Sequence, residues 1–392
     1  MVVSVFNAFF ILFFVLQRMH GSYYIMLFMT LLYGFYYYSR NKVKNNLSLY
    51  LFLVVIVYLF YLIIGISNNH SSLIADIKIQ VTSFLFYLIL LSTQGKNINW
   101  EEILFGFNYV IFFIYLFLFL GIMPNLWSNL TFGFEKRMYG PSLNGIVLLL
   151  FYYLLNEKKI DRKIVVAFIL GLIYTASSQS VMNISITIIL FILLAVRKEY
   201  FFRGVLLLGI FVVMSLFLMP EYALHKMSFI FRPWEYRSFQ TRISDLAQVF
   251  STTDFTWFNV IFGEGFGAST RVFRYIVEKP ELSLFETFLE VDNGFYYIYH
   301  RGGLSLLVLF LAGHYILLKM IPSFKGRVAF MTIFFIINIL TIHYCTHFIF
   351  LLIPFWIIEN YGKEKKIFRQ KLVFKIHNNF FNKNIALTKI KF

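Results

Sequence analysis

Long apolar runs separated by short charged connections dominate the chain. Twelve can be drawn, near 2–17, 22–39, 47–66, 77–94, 103–122, 139–155, 164–179, 181–196, 204–219, 292–318, 328–343 and 346–358. A segment that crosses hydrocarbon must satisfy its own backbone hydrogen bonds, and a helix does this within one run. The pattern therefore predicts an all-α, polytopic integral membrane helix bundle of about twelve spans. Several runs fall short of the roughly 20 residues that a perpendicular span requires. The 164–196 stretch is expected to hold a tight helix pair around Ser177-Ser178-Gln179-Ser180. The first run lacks a basic start and a small-residue cleavage site before Gln17-Arg18, so it is read as a span and not as a removed signal.

Orientation follows from the short connections, because loops rich in Lys and Arg resist translocation. The connections at 40–46, 157–163, 197–203 and 319–327, with the tail 359–392, hold 22 of the 35 basic residues, and a twelve-span count places all of them on one side. Both termini are then cytoplasmic. The organisation expected is spans one to nine over 1–219, a large extracytoplasmic loop over 220–291, spans ten to twelve over 292–358 and a basic cytoplasmic tail over 359–392. The long loop carries seven basic and nine acidic residues, so it is not merely a retention signal. Loops of that length usually have a function. Short helices are expected in it at 222–231, 239–251 and 281–291, the second capped by Thr241 or Ser238 with Leu246, Val249 and Phe250 on one face.

Composition agrees with a membrane setting and removes other classes. Hydrophobic residues make up 59% of the chain and charged residues 14%, which leaves too little polar surface to wrap a water-soluble body. The net charge of +16 is accounted for by topology and attraction to anionic lipid, and no arginine-rich arm points to nucleic acid. Cys345, the one cysteine, excludes an intrachain disulfide and a thiolate metal cage.

Candidate chemistry concentrates in and beside the long loop. Arg232, Arg237 and Arg242 recur every five residues among Trp234, Tyr236 and Phe239. Guanidinium groups grip diphosphates by permanently charged, bidentate hydrogen bonds, and aromatic faces suit sugar rings; the same arginines could instead pair with loop acids or lipid head groups. Downstream, Gly263-Glu264-Gly265-Phe266-Gly267 allows positive φ and close backbone approach, or simply reverses the chain. Asp292 stands where the loop re-enters the membrane, placed either to deprotonate an acceptor hydroxyl or to cap a helix, with Glu264, Glu286 and Glu290 as competing bases. Arg137, ahead of Tyr139-Gly140-Pro141, could reach a phosphate or snorkel to lipid. Glu101-Glu102 read as a charged helix start. His343 and His347 share a helical face, but no third ligand accompanies them, so no metal is expected.

The order Arg242, Phe262-Gly263-Glu264-Gly265-Phe266-Gly267, Asp292-Asn293-Gly294-Phe295-Tyr296 and Arg301-Gly302-Gly303-Leu304 resembles the bacterial O-antigen polymerase and O-antigen ligase superfamily. Arg137-Met138-Tyr139-Gly140-Pro141-Ser142-Leu143-Asn144 and Ser177-Ser178-Gln179-Ser180 extend the resemblance upstream, over about residues 130–320. Two departures matter: Asp292-Asn293 stands where ligases carry a His-Asn pair, which favours the polymerase, and Gln179 stands where many members have Arg. The resemblance implies a cofactor-free, metal-independent glycosyl transfer between undecaprenyl-diphosphate-linked oligosaccharides, donor and acceptor, on the outer face of a bacterial cytoplasmic membrane. Taken with the reading of the residues above, this gives the base as Asp292, then Glu264 or Glu290, the diphosphate grip as Arg242 with Arg137, Arg232, Arg237 and Arg301, and the sugar contacts as Trp234, Tyr236 and Trp257. A chain-length regulator and a flippase are the implied protein partners. Two other readings stand beside it: a ligase-type transferase, and a polysaccharide flippase or transporter.

Overall fold

The structure, a computed structural model, describes residues 10–15, 28, 45–68, 70, 72–93, 98–122, 144–177, 180–195, 237–252, 256–274, 284–288 and 291–362. The expected spans at 22–39 and 204–219 and the expected helix at 222–231 lie outside these, apart from Phe28. The described chain is mostly helical. The main helices are α1 (Asn45–Ser67), α2 (Leu73–Thr93), α3 (Trp100–Phe119), α4 (Gly145–Leu155), α5 (Arg162–Ser177), α6 (Val181–Ala195), α7 (Arg237–Thr252), α8 (Trp257–Phe262), α9 (Gly294–Met320), α10 (Phe324–Leu340) and the short α11 (His343–Thr346). A 3-10 turn, Phe348–Leu351, leads into a further helix, α12, at 352–362.

Local chemistry explains several helix starts. The Asn99 side chain accepts from Glu102 N at 3.3 Å to open α3, with Glu101 and Glu102 in the first turn where the helix dipole favours negative charge. Ser323 caps α10 through Gly326 N, and Thr256 caps α8 through Asn259 N. α4 is apolar all round and buried along nearly its whole length, as a helix at the centre of a bundle must be. Around it α3, α5, α6 and α10 close a core rich in rings, among them Phe107, Phe168, Trp100, Phe348 and Trp356. Among the described residues, three stretches, Leu73–Leu90, Trp100–Phe119 and Gly294–Met320, are long and apolar enough to cross a membrane. Exposed Ile63, Ile74, Val308, Leu309 and Ile316 leave apolar faces that water would not stabilise.

Three expectations are corrected. Residues 281–291 contain no helix among their described positions: Leu284–Phe288 forms strand β2, antiparallel to β1 (Thr270–Arg274), with Val272 opposite Glu286. Phe and Thr at alternate positions favour a pleated strand, so among the described residues one short antiparallel strand pair accompanies an otherwise helical fold. α7 opens at Arg237, which puts Ser238 and Thr241 inside the helix and not at its cap. Asn293, not Asp292, caps α9, its side chain accepting from Tyr296 N at 2.8 Å.

The bundle has two distinct ends. At one, Glu101 receives the Tyr153 hydroxyl at 2.6 Å and pairs with Lys158, and Asn360 Nδ2 donates to Asn156 Oδ1 at 3.0 Å. The start of α3, the basic 157–163 connection and the end of α12 thus meet. At the other end lie the α1–α2 turn, residues 256–268 and the head of α9, where Asn293 Nδ2 donates to the Ile339 carbonyl at 3.2 Å.

Candidate functional site

The site forms where the glycine-rich segment Gly263–Gly267 is wedged between the end of α1 and the upper part of α9. Gly265 has φ +84°, and a Cβ there would lie 2.3 Å from Gly65 N, so only glycine fits. On the other side Gly303, with φ +59°, interrupts α9 and lets the helix approach the Ile261–Phe262 backbone. The Gly302 carbonyl beside this kink accepts from the Tyr61 and Ser305 hydroxyls at 3.2 and 2.9 Å. The close approach that the glycines permit is therefore made to the protein's own backbone.

Beneath the segment lies a buried ion pair. Asp76 on α2 and Arg301 on α9 are 1% and 2% exposed. Asp76 Oδ2 accepts from Arg301 Nε at 2.5 Å and from Gly267 N at 2.7 Å, and its Oδ1 accepts from Arg301 Nη2 at 3.0 Å and the Tyr297 hydroxyl at 3.2 Å. The Arg301 guanidinium also stacks on the Tyr297 ring, 3.8 Å from its centroid. Four donors satisfy the carboxylate, which is what makes such a burial tolerable. The network continues: Gln80 Nε2 donates to the Tyr297 oxygen, and the Tyr58 hydroxyl donates to Gln80 Oε1. Tyr58, Gln80 and Phe266 then line an apolar cavity of about 210 Å³ between α1 and α2.

Glu264 sits above this pair. Its N–H donates to the His300 carbonyl at 2.9 Å, and its own carbonyl accepts from Asn68 Nδ2 at 2.9 Å and lies 2.9 Å from His70 Nε2. Its carboxylate faces His300, with Oε2 3.4 Å from Nε2. Burial pushes the Glu264 carboxyl up, but the hydrogen bond and charge of His300, with His70 and Arg301 adding to them, outweigh burial and hold it below the usual carboxylate value.

At the outer edge, Arg242 Nε on α7 donates to Asp292 Oδ2 at 3.0 Å, with both side chains accessible. α7 is held there by Leu246 and Val249, which pack with Val272, Val291 and Tyr296. The Tyr296 ring stacks on His300 at 5.1 Å, so the first two turns of α9 join the Arg242–Asp292 pair to the Glu264–His300 contact.

Of the residues singled out in the sequence, Arg242, Glu264, Asp292 and Arg301 come together at this end. Trp257 opens α8 there, 84% exposed. Arg301 is committed to Asp76 and closed off, the geometry of a positioning residue and not of a phosphate ligand. Arg137, Arg232, Trp234, Tyr236, Glu290 and the side chain of Arg237 lie outside the described residues. Sequence reasoning missed Asp76, His70 and the role of His300. Asp76 did carry a signal, being a carboxylate at the border of an apolar run. No cluster suited to a metal ion is found among the described residues. No protein-family model, curated protein or solved structure matches the chain.

Proposed function

We propose that the chain is an integral membrane glycosyltransferase of the bacterial cytoplasmic membrane. In this reading it polymerises undecaprenyl-diphosphate-linked oligosaccharide repeats into an O-antigen or capsular polysaccharide on the outer face. The observation that carries it is the separation of the two ends. The described basic connections gather at one end, and accessible Arg242, Asp292, Glu264 and Trp257 gather at the other, where the long loop returns to the bundle. With the basic end cytoplasmic, the twelve-span count places both termini inside and this cluster outside.

The chemistry follows from what each group can do. Arg242 exchanges Asp292 for a multiply charged diphosphate, whose leaving-group charge grows in the transition state and is stabilised most there. Trp257 offers an exposed face to a sugar. The apolar cavity lies between α1 and α2 below the same end, where an isoprenoid chain attached to that diphosphate would run into the hydrocarbon. The reaction draws on no cofactor in this reading, and a chain-length regulator and a flippase would work beside the enzyme.

The test is reconstitution. Purified protein in nanodiscs, given a synthetic undecaprenyl-diphosphate repeat without nucleotide sugar, should yield a ladder on a gel, and Arg242→Ala should abolish it. A protein that makes no ladder but carries the lipid-linked unit across a liposome bilayer would be a transporter. Transfer to a lipid or protein acceptor without a ladder would mark a ligase.

A further inference from the structure

Glu264 combines three properties that no other described carboxylate at this end of the bundle shares: a fixed backbone, an open carboxylate and an imidazole directly behind it. We infer that Glu264 and His300 act as a dyad in which Glu264 takes the proton of the acceptor hydroxyl and His300 is the positioning residue that orients its carboxylate. The inference rests on the glycosyl-transfer reading and names the group that does its proton transfer.

Geometry sets the division of labour. His300 is 6% exposed and Glu264 23%, so the carboxylate faces outward and the ring stands behind it. A bulky sugar hydroxyl can reach the first and not the second. His300 is fixed by stacking on Tyr296, and Glu264 by hydrogen bonds to His300 and Asn68 and by the 2.9 Å contact of its carbonyl with His70. Asp292 is the poorer base, because it stands at Arg242, where the diphosphate leaving group and not the acceptor hydroxyl would dock.

The step balances simply. The acceptor oxygen bonds to the anomeric carbon as the carbon–oxygen bond to the diphosphate breaks, and the bonding pair leaves with the diphosphate. The hydroxyl proton passes to the Glu264 oxygen not facing His300, then to water.

The groups around the dyad set its pH dependence. His300 and His70 face Glu264 from α9 and the α1–α2 turn, Arg301 adds positive charge from below, and Asp76 neutralises Arg301. Their net effect holds Glu264 below the usual carboxylate value, so it is ionised at neutral pH and the rate falls only as acid protonates it. Removing the imidazole takes away the hydrogen bond and the nearest lowering influence, and the acid limb moves up.

The experiment uses the full chain in nanodiscs with the synthetic lipid-diphosphate repeat, measuring kcat, KM and donor Kd against pH. Glu264→Gln should lower kcat by about 100-fold or more, while donor Kd stays within about threefold, well under the 1.4 kcal/mol of a tenfold change; retained binding also reports a folded variant. His300→Gln, which keeps a hydrogen-bond donor but not the imidazole, should move the acid limb of kcat to higher pH. Near-wild-type kcat in Glu264→Gln, or an unmoved limb in His300→Gln, overturns the dyad alone. A wild-type chain that forms no product overturns the dyad together with the glycosyl-transfer reading.

Discussion

Two arginine–carboxylate pairs hold the upper part of α9, and burial separates what they do. Asp76–Arg301 lies between α2 and α9, its partners 1% and 2% exposed, with Gly267 and Tyr297 completing the shell of donors. Arg242–Asp292 lies between α7 and the residue ahead of the Asn293 cap, its partners 27% and 49% exposed, joined by one hydrogen bond at 3.0 Å. In the first, water cannot replace a lost partner, so the pair acts as a fixed strut beneath the glycine-rich segment. In the second, solvent can replace either partner and an incoming anion can take the place of Asp292, so the pair is exchangeable. The same two side-chain types therefore serve position in one place and, on the proposed reading, binding in the other.

The comparison breaks most readily at the buried pair. Asp76→Ala or Arg301→Ala strands a buried charge and should cost about 3–5 kcal/mol, read as a large drop in thermal unfolding temperature in detergent. Replacing both partners with apolar residues of similar volume should cost less than either single change, and a double variant that is worse than both would remove the pair's status as a strut. Next comes the segment above it: Gly265→Ala places a Cβ against Gly65 N at positive φ and should cost at least about 1–2 kcal/mol, measured by the same unfolding.

A smaller effect belongs to Glu264. Its folded value is depressed, so the stability it contributes is present above its unfolded value and is lost as pH falls through the folded one. Acid unfolding of the wild type and Glu264→Gln should therefore converge below the ordinary carboxylate range and separate above it. Smallest is the exposed pair: Arg242→Ala should change stability by only about 0–1 kcal/mol, and salt should screen even that, while donor binding falls sharply. A stability loss comparable to that of Arg301→Ala would erase the distinction drawn between the two pairs.

Much of this architecture was legible in the chain. The apolar runs near 47–66, 77–94, 103–122, 164–179, 181–196 and 292–318 coincide with α1, α2, α3, α5, α6 and α9, because the length of an apolar run and the need to satisfy its backbone are local properties. The break at Ser177–Ser180 falls between α5 and α6 as expected. The strand at Leu284–Phe288 was not legible, since a five-residue run becomes a strand only when Thr270–Arg274 pairs with it. Nor was the cap of α9: Asp292 and Asn293 are equally good caps by type, and only the backbone geometry chooses Asn293.

The candidate site divides the same way. The sequence alone established a helical, membrane-suited chain, the end at which its basic connections collect, and a short set of arginines and carboxylates beside the long loop, because hydrophobicity, charge and spacing act within a few residues of themselves. Only the tertiary structure decided which of those groups are available. Arg301 finds Asp76 225 positions away, Glu264 finds His300 and His70, and Arg242 finds Asp292. Those pairings depend on helices meeting at glycines that admit no Cβ, and on how deeply each meeting excludes water, which no single segment of the chain encodes.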